Sequence, residues 1–223
     1  ALIDALGQER RDRILALLFT CRSDVSGLVR AAPVDIWKAL VANSPKTLKE
    51  ALPTLTNIIV RKLASLDDTQ RTIAAQTLGE MVRRVGANAL SQLLPTLEES
   101  LLNSDTDAKQ GICIALTELV HNSSRDAVLQ YQDVFIRTAR IALSDPADDV
   151  RQAAAQTFEV LQETLGKSVV DAIIPHLLQE LQTGGEVEKE NALMALKDIM
   201  GTKADVVFPI LLPNLLLPPM DGF

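Results

Sequence analysis

The chain has 223 residues, of which 47% are hydrophobic and only 3% aromatic, so its core must be built from aliphatic side chains, as in proteins where helices pack on helices. A formal net charge of −7 with 23% charged residues excludes a disordered chain and a general nucleic-acid binder. The length exceeds the roughly 100–200 residues of one ordinary domain and therefore predicts two domains or one extended array.

The cysteines and the apolar stretches favour a reducing, cytoplasmic compartment. Cys21 and Cys113 lie in Leu-rich runs 92 residues apart, a spacing that fits neither a disulfide framework nor a zinc site. The longest uncharged stretch near the C-terminus, 206–220, is too short to span a bilayer and contains four prolines. Three arginines follow the first apolar residues instead of preceding them, so we expect no signal peptide.

Basic residues recur 38–42 positions apart along the chain. Alanine is the commonest residue at the third and fourth positions after them, and large apolar residues stand at the seventh and tenth, with Trp37 at one of the seventh positions. This spacing predicts amphipathic helices whose small residues allow close approach to neighbouring helices, and it places Trp37 in the core. We name these basic residues the basic ladder: Arg30, Arg71, Lys109, Arg151 and Lys189.

A second apolar segment precedes most of these helices and carries a proline, as at 52–55, where the sequence is Leu-Pro-Thr-Leu. Proline in such a run predicts a kinked first helix. Short Asp-containing turns join the two helices, and Asp145 followed by Pro146 predicts an N-cap with proline at the first helical position. Pro33 falls inside a second helix, which it should bend or delay.

Helix pairs that repeat at this interval resemble HEAT repeats. The resemblance is strengthened by an Asp-x-x-x-x-Val-Arg element at 24–30, which returns at 145–151. We therefore predict an all-α fold, a right-handed α-solenoid of antiparallel helix pairs that forms a single domain over 1–223. Five pairs beginning near Gln8 precede an orphan first helix over 204–217, and the apolar chain ends indicate a fragment of a longer array.

No constellation of catalytic or metal-ligating residues is recognisable. His121 and His176 are the only histidines, and neither lies at ligand spacing from a cysteine or a carboxylate. The sequence has no nucleophile elbow, phosphate-cradling glycine loop or paired-carboxylate motif. We therefore predict a non-enzyme without catalytic, cofactor-binding or metal-binding residues.

The basic ladder has two interpretations: it aligns the stack by pairing with turn aspartates, or it contacts a partner. Charge is unevenly spread, because residues 1–100 contain 13 basic and 11 acidic side chains whereas residues 101–223 contain 9 and 18. This asymmetry favours the N-terminal half, including Arg83 and Arg84, as the place for an acidic partner. A solvated helix face would account for the same charges.

Taken in order, short runs across the whole chain resemble one family, the giant HEAT-repeat translational activators of the general amino-acid control pathway. These runs are 9–15, 22–24, 36–38, 45–50, 52–55, Gln110-Gly111-Ile112-Cys113-Ile114, 124–128 and 150–155. The resemblance implies a cytoplasmic scaffold segment that recruits the RWD domain of the initiation factor 2 alpha kinase to ribosomes during amino-acid starvation. Similar RWD-domain proteins would compete for the same surface.

The resemblance also implies which residues to test. The family relies on a basic residue for kinase binding and often has arginine at the position of Lys109, which makes Lys109 the leading candidate. Arg71, Arg83, Arg84 and Arg151 are the other candidates for partner binding. We expect the ribosome to be contacted by other parts of the full-length protein, and neither a membrane nor a nucleic acid to be bound by this segment.

Two alternatives remain open from the sequence. The segment would serve as a structural spacer or a ribosome-contacting stretch if its exposed charges bind no RWD domain. Bare HEAT periodicity also fits an adaptor of another kind, such as a nuclear-transport or phosphatase scaffold.

Overall fold

A computed structural model describes residues 5–215, which form α-helices joined by short turns, with short 3₁₀ segments at 5–6 and Ala87–Ala89 and no strand. The predicted all-α solenoid is confirmed. The helices are α1 Gln8–Cys21, α2 Gly27–Leu40, α3 Ser44–Leu63, α4 Asp68–Val85, α5 Leu90–Asn103, α6 Thr106–His121, α7 Arg125–Gln130, α8 Gln132–Leu143, α9 Asp148–Leu165, α10 Lys167–Thr183 and α11 Glu186–Leu215. No helix in this part of the chain is both long and apolar enough to cross a membrane.

Successive helices pack as pairs, and the second helices of the pairs form a continuous row. In this row α4 packs on α6, α6 on α9, and α9 on α11. Helix α2 behaves differently because its packing is chiefly on α1. The residues of the basic ladder therefore lie on α2, α4, α6, α9 and α11, one on each second helix.

Side-chain caps explain where several helices begin. Asn43 accepts a hydrogen bond from the backbone N–H of Lys46, and Asp105 accepts one from that of Ala108, so each supplies a partner to the otherwise unpaired first turn of its helix. The predicted cap at Asp145 is wrong, because α9 begins only at Asp148. The Asp145 carboxylate instead accepts from the N–H of Ala147, closing a local turn two residues before the helix.

All but one of the prolines among the described residues lie within helices, the exception being Pro146 in the turn before α9, and one other residue marks a clear helix break. Helix α2 begins at Gly27, well before the buried Pro33, so that proline does not delay the helix start. The long helix α11 is interrupted at Lys203, whose φ of −136° and ψ of 52° are non-helical. The orphan helix predicted over 204–217 follows this break, and its last two residues lie outside the described residues.

One contiguous aliphatic core runs through the stack, as the apolar stripe predicts. The residues seven positions after the ladder are all buried: Trp37, Leu78, Leu116, Phe158 and Leu196. The Trp37 ring lies 5.6 Å from that of Phe19, centroid to centroid, and its Nε1 donates a 2.8 Å hydrogen bond to Ser44 Oγ. Trp37 is therefore a core residue with a satisfied polar atom, as expected for a buried tryptophan.

Gly111 marks the closest approach between neighbouring repeats. A Cβ at this position would lie 2.1 Å from the backbone oxygen of Leu63 at the end of α3. Only glycine therefore lets α6 settle against the preceding pair at this distance. The contact brings the start of α6 beside the turn that leads into α4, where the first ion-pair cluster lies.

Candidate protein-interaction surface

Arg71 and Arg151 are buried ladder residues that hold the turn of their own repeat. Each is only 3% exposed. Arg71 donates from Nη1 to the carbonyl oxygen of Ser65, and Arg151 donates from Nη1 to those of Asp145 and Pro146, at 3.0 and 2.7 Å. Each guanidinium also pairs with the aspartate three residues before it in the chain. A buried charge needs hydrogen-bonding and ionic partners of this kind, because removing it from water without them is costly.

The same two arginines also reach into the next repeat. Arg71 Nη1 lies 3.1 Å from Asp107 Oδ1, and its Nη2 donates to Gln110 Oε1 at 2.7 Å. Arg151 Nε lies 3.3 Å from Asp198 Oδ2. These bonds therefore join adjacent second helices, α4 to α6 and α9 to α11.

Lys109 makes the equivalent contact between α6 and the following turn. Its Nζ lies 2.8 Å from Asp145 Oδ2, with the two side chains 25% and 11% exposed. Lys109, like Arg71, meets its acidic partner 36 residues further along the chain. The geometry thus places Arg71, Lys109 and Arg151 in the alignment of the stack, and whether any of them also binds a partner stays a prediction.

The two ends of the ladder are built differently. Arg30 is exposed, and its Nη1 donates to the carbonyl oxygens of Asp24 and Val25 at 2.7 and 2.8 Å. It thus keeps the turn-capping bonds seen for Arg151 but makes no ion pair with the second repeat. The residue 36 positions after Arg30 is Leu66, which is 88% exposed and offers no carboxylate. Lys189 is half-buried on α11.

Arg83 and Arg84 are the two remaining sequence candidates, and both lie in the last turn of α4. Arg83 has 63% of its side chain exposed and Arg84 has 35%. Both pair with Glu80, one and the same carboxylate, so two positive charges share one negative charge. These side chains are the accessible members of the candidate set.

A groove of about 590 Å³ opens beside Arg83, between α2 and α4. Arg22 and Arg30 reach it from the side of the first repeat, Glu80 and Arg83 from α4, and Glu118 from α6. The helical spacing of the sequence does not predict that Arg22 comes together with Arg30 and Arg83. The only sequence signal for this grouping is the missing acidic residue 36 positions after Arg30.

Burial and neighbouring charge perturb the guanidinium of Arg22. Its pKa lies below the ordinary arginine value, first because the side chain is partly desolvated and second because Arg84 is nearby, with Glu80 opposing these effects in part. The guanidinium carbon lies 5.5 Å from the centroid of the Phe19 ring, within the range of a cation–π contact. Arg22 is therefore fixed against the core at the edge of the groove.

The described residues include no group of three or more histidine, cysteine or acidic side chains that could hold a metal ion. His176 lies beside Glu180, 3.4 Å from its carboxylate, within one turn of α10. Burial raises the pKa of the Cys113 thiol to about 12, with Asp145 adding to the effect, so this thiol stays protonated and unreactive. Neither side chain is arranged for catalysis.

Comparison with known proteins agrees with the repeat architecture. The family model for "Stalled ribosome sensor GCN1-like, HEAT repeats" matches residues 29–201. The eIF-2-alpha kinase activator GCN1 of Saccharomyces cerevisiae is 55% identical over 223 residues, and the stalled ribosome sensor GCN1 of Homo sapiens is 46% identical over 221. The eIF-2-alpha kinase activator GCN1 of Dictyostelium discoideum is 37% identical over 217 residues.

These alignments cover 100%, 99% and 97% of this chain in turn, but only 8% of each relative. The similarity therefore concerns one stretch of a much longer kind of protein. The match to the family model extends from α2 into α11, which includes every residue of the basic ladder. By its sequence, its helix pairs and its length of match, the chain belongs to the family of stalled ribosome sensor GCN1-like HEAT-repeat proteins.

Proposed function

We propose that this chain is a cytoplasmic protein-binding segment of a GCN1-type scaffold, and that it recruits the RWD domain of the initiation factor 2 alpha kinase. The observation that carries the proposal is its 55% identity over its whole length to a protein named eIF-2-alpha kinase activator. The chain spans about 8% of that protein, so kinase activation as a whole would require other parts of the scaffold.

The geometry supports a division of labour among the basic candidates. Arg71 and Arg151 act as positioning residues, because their guanidinium groups already donate to carbonyl oxygens and pair with aspartates inside the stack. Arg83 and Arg84 supply the direct contact, because they are exposed and share one carboxylate. Lys109 contributes mainly through its bond to Asp145, although a quarter of its side chain is accessible.

Isothermal titration of this chain with the isolated RWD domain of the kinase tests the proposal. We expect binding that weakens as salt is raised, because exposed opposite charges are screened within about 8 Å at physiological ionic strength. The double variant Arg83→Gln/Arg84→Gln, which removes both charges without adding a carboxylate beside Glu80, should bind weakly while melting close to the wild type, because exposed ion pairs contribute little to stability. Lys109→Glu should instead lower stability, because it sets a second carboxylate beside Asp145.

A second candidate function rests on the name of the human relative, a stalled ribosome sensor. In this alternative the segment contacts the ribosome or spaces other sites apart. Absence of RWD binding by the wild-type chain, together with co-sedimentation of the same chain with ribosomes, would support the alternative and refute the recruitment of the kinase.

A further inference from the structure

Among the described residues, the basic ladder makes no ion pair between the first and second repeats, an absence that we call the missing rung. Arg71, Lys109 and Arg151 each reach an aspartate of the following repeat, which joins each pair to the next. Arg30 carries the same Asp-x-x-x-x-Val-Arg element as Arg151 but remains exposed and bonds only to carbonyl oxygens of its own turn. The second helix of the first pair is consequently not tied to α4.

The missing rung coincides with an open groove. Helix α2 packs chiefly on α1, whereas α4 packs on α3 and α6, and the space of about 590 Å³ lies between α2 and α4. In a solenoid, neighbouring second helices normally fill this space with each other. A depression of about 360 Å³ also lies between α9 and α11, so the groove at the first repeat junction is distinguished by the arginines that line it.

Two guanidinium groups face this groove without a carboxylate partner. In the described part of the chain, neither Arg22 nor Arg30 has an acidic side chain within ion-pair distance. Desolvation and the proximity of Arg84 make the charged form of Arg22 less favourable than in water. An incoming carboxylate would offset both effects, because an opposite charge favours the charged guanidinium, and it would find guanidinium forks suited to bidentate pairing.

The acidic side chains of the groove are already engaged by the chain itself. Glu80 accepts from both Arg83 and Arg84, and Glu118 accepts from Asn122 at 3.2 Å. Three arginines and two glutamates line the groove, and Arg84 lies near Arg22, so basic side chains outnumber acidic ones here in a chain whose net charge is −7. Such a local reversal of sign favours an acidic partner at this place.

We propose that the groove between α2 and α4 is the docking site for an acidic surface of a partner protein, with Arg22, Arg30 and Arg83 pairing with its carboxylates. This inference rests on the proposed recruitment of the RWD domain and assigns the place where that domain binds. A protein is favoured over a nucleic acid because Glu80 and Glu118 line the groove and would repel a continuous row of phosphates. The groove also presents no aromatic side chain for base stacking.

The test compares two double charge reversals that change the net charge equally. Arg30→Glu/Arg83→Glu alters the groove, and both side chains are exposed. Arg13→Glu/Arg61→Glu alters two exposed arginines that line a different depression, formed by α1 and α3. Arg22→Gln is a third, milder variant that removes one groove charge. Urea melts of all variants check that the fold is retained.

The first arm measures the Kd of the kinase RWD domain by isothermal titration in about 0.15 M salt. We expect the groove double variant to weaken binding at least about 10-fold, which is about 1.4 kcal/mol, and the matched control to change it far less. Arg22→Gln should weaken binding in the same direction. Equal losses for both double variants, or a larger loss for the control, overturn the groove while leaving the recruitment of the RWD domain intact.

The second arm does not depend on the RWD domain. The chain is titrated into each of two probes, and binding is measured by fluorescence anisotropy. One probe is a fluorescein-labelled helical peptide with alternating runs of Glu and Ala, and the other is a short single-stranded RNA. Groove-dependent binding of the peptide supports the inference even if the RWD domain fails to bind, in which case only the proposed function is lost. If the peptide does not bind, or if the RNA binds more tightly and loses affinity in Arg30→Glu/Arg83→Glu, the assignment to an acidic protein is overturned.

Discussion

A buried arginine in this chain serves as a connector rather than as a surface charge. Arg151 satisfies two carbonyl oxygens of its own turn and a carboxylate of the next repeat from a position that is 3% exposed. Removing one member of such a cluster leaves the remaining groups without partners, which costs more than the intact bonds contribute. The residue is thus expected to matter for stability and not for recognition.

Arg151→Met is predicted to destabilise the chain by about 1–3 kcal/mol, because the carbonyl oxygens of Asp145 and Pro146 lose a charged donor. Urea melts followed by circular dichroism measure the change. Arg30→Met is the matched control, because Arg30 makes the same carbonyl bonds while exposed and should shift stability by no more than about 0.5 kcal/mol. Equal shifts for the two variants would contradict the connector role.

Gly111→Ala is predicted to destabilise by roughly 1–3 kcal/mol or more, because its new Cβ would lie 2.1 Å from the Leu63 backbone oxygen, which cannot move without α3. Gly201→Ala is the control, since nothing lies within 4 Å of that Cβ and alanine is the better helix former by about 1 kcal/mol. Thermal melts should therefore shift in opposite directions. A neutral Gly111→Ala would show that the two repeats are not in such close contact.

Trp37→Ala is predicted to cost about 3–5 kcal/mol, because it empties a core site shared with Phe19. Trp37→Phe, which keeps much of the ring but loses the Nε1 donor to Ser44, should cost clearly less. Denaturant midpoints for the three proteins give the comparison. A midpoint for Trp37→Ala that coincides with the wild type would mean that the tryptophan is exposed in solution.

At the scale of helices, an ion pair links α5 to α8, two first helices of neighbouring repeats. Arg137 Nη2 lies 2.9 Å from Glu98 Oε2, and the hydrogen bond from Arg137 lowers the pKa of Glu98 more than its partial burial raises it. The pair is partly exposed, so its contribution is expected to be modest. The pH dependence of this contact nevertheless has a defined sign.

Glu98→Gln is predicted to lower stability by up to about 1 kcal/mol at neutral pH. Because the folded pKa of Glu98 is depressed, its contribution is fully present above the ordinary glutamate pKa and is lost as pH falls through the lower folded value. Urea melts across the acid range should therefore converge for variant and wild type. Glu99→Gln is the control, because Glu99 is the neighbouring residue and its side chain is exposed, and its stability should match that of the wild type at neutral pH. A stability difference between Glu98→Gln and the wild type that persists in acid would argue against this linkage.

The helix pattern could be predicted from the sequence because it depends on local spacing. The stripe that begins at each ladder residue requires only that apolar positions fall on one helix face, and Trp37 accordingly lies in the core.

The missing rung could not be predicted in this way. The elements at 24–30 and 145–151 are alike in sequence, yet Arg30 is exposed and Arg151 buried, because tertiary packing sets the position of α2 relative to α4. The start of α9 was missed for a related reason, since Asp145 is held by Lys109 of another repeat.

At the scale of the whole molecule, the proposed binding surface lies apart from the contacts that join the repeats. In the row α4, α6, α9 and α11, buried arginines and Lys109 join each helix to the following repeat. Along this row the acidic side chains outnumber the basic ones, as in residues 101–223, or nearly equal them in number, as in residues 1–100. Arg22 and Arg30, which pair with no carboxylate among the described residues, and Arg83, which shares Glu80 with Arg84, lie instead at the junction of the first two repeats. This arrangement allows a partner to bind without breaking the contacts that hold the stack.

Hydrogen–deuterium exchange of the chain with and without the kinase RWD domain tests this separation most directly. We predict that binding protects peptides from α2 and from the last turns of α4, which border the groove, and leaves exchange in α8, α9 and α10 unchanged. The Arg30→Glu/Arg83→Glu variant should abolish the protection without raising exchange elsewhere. Protection confined to the acidic half, from α8 onward, would contradict the claim that the junction of the first two repeats is the binding surface.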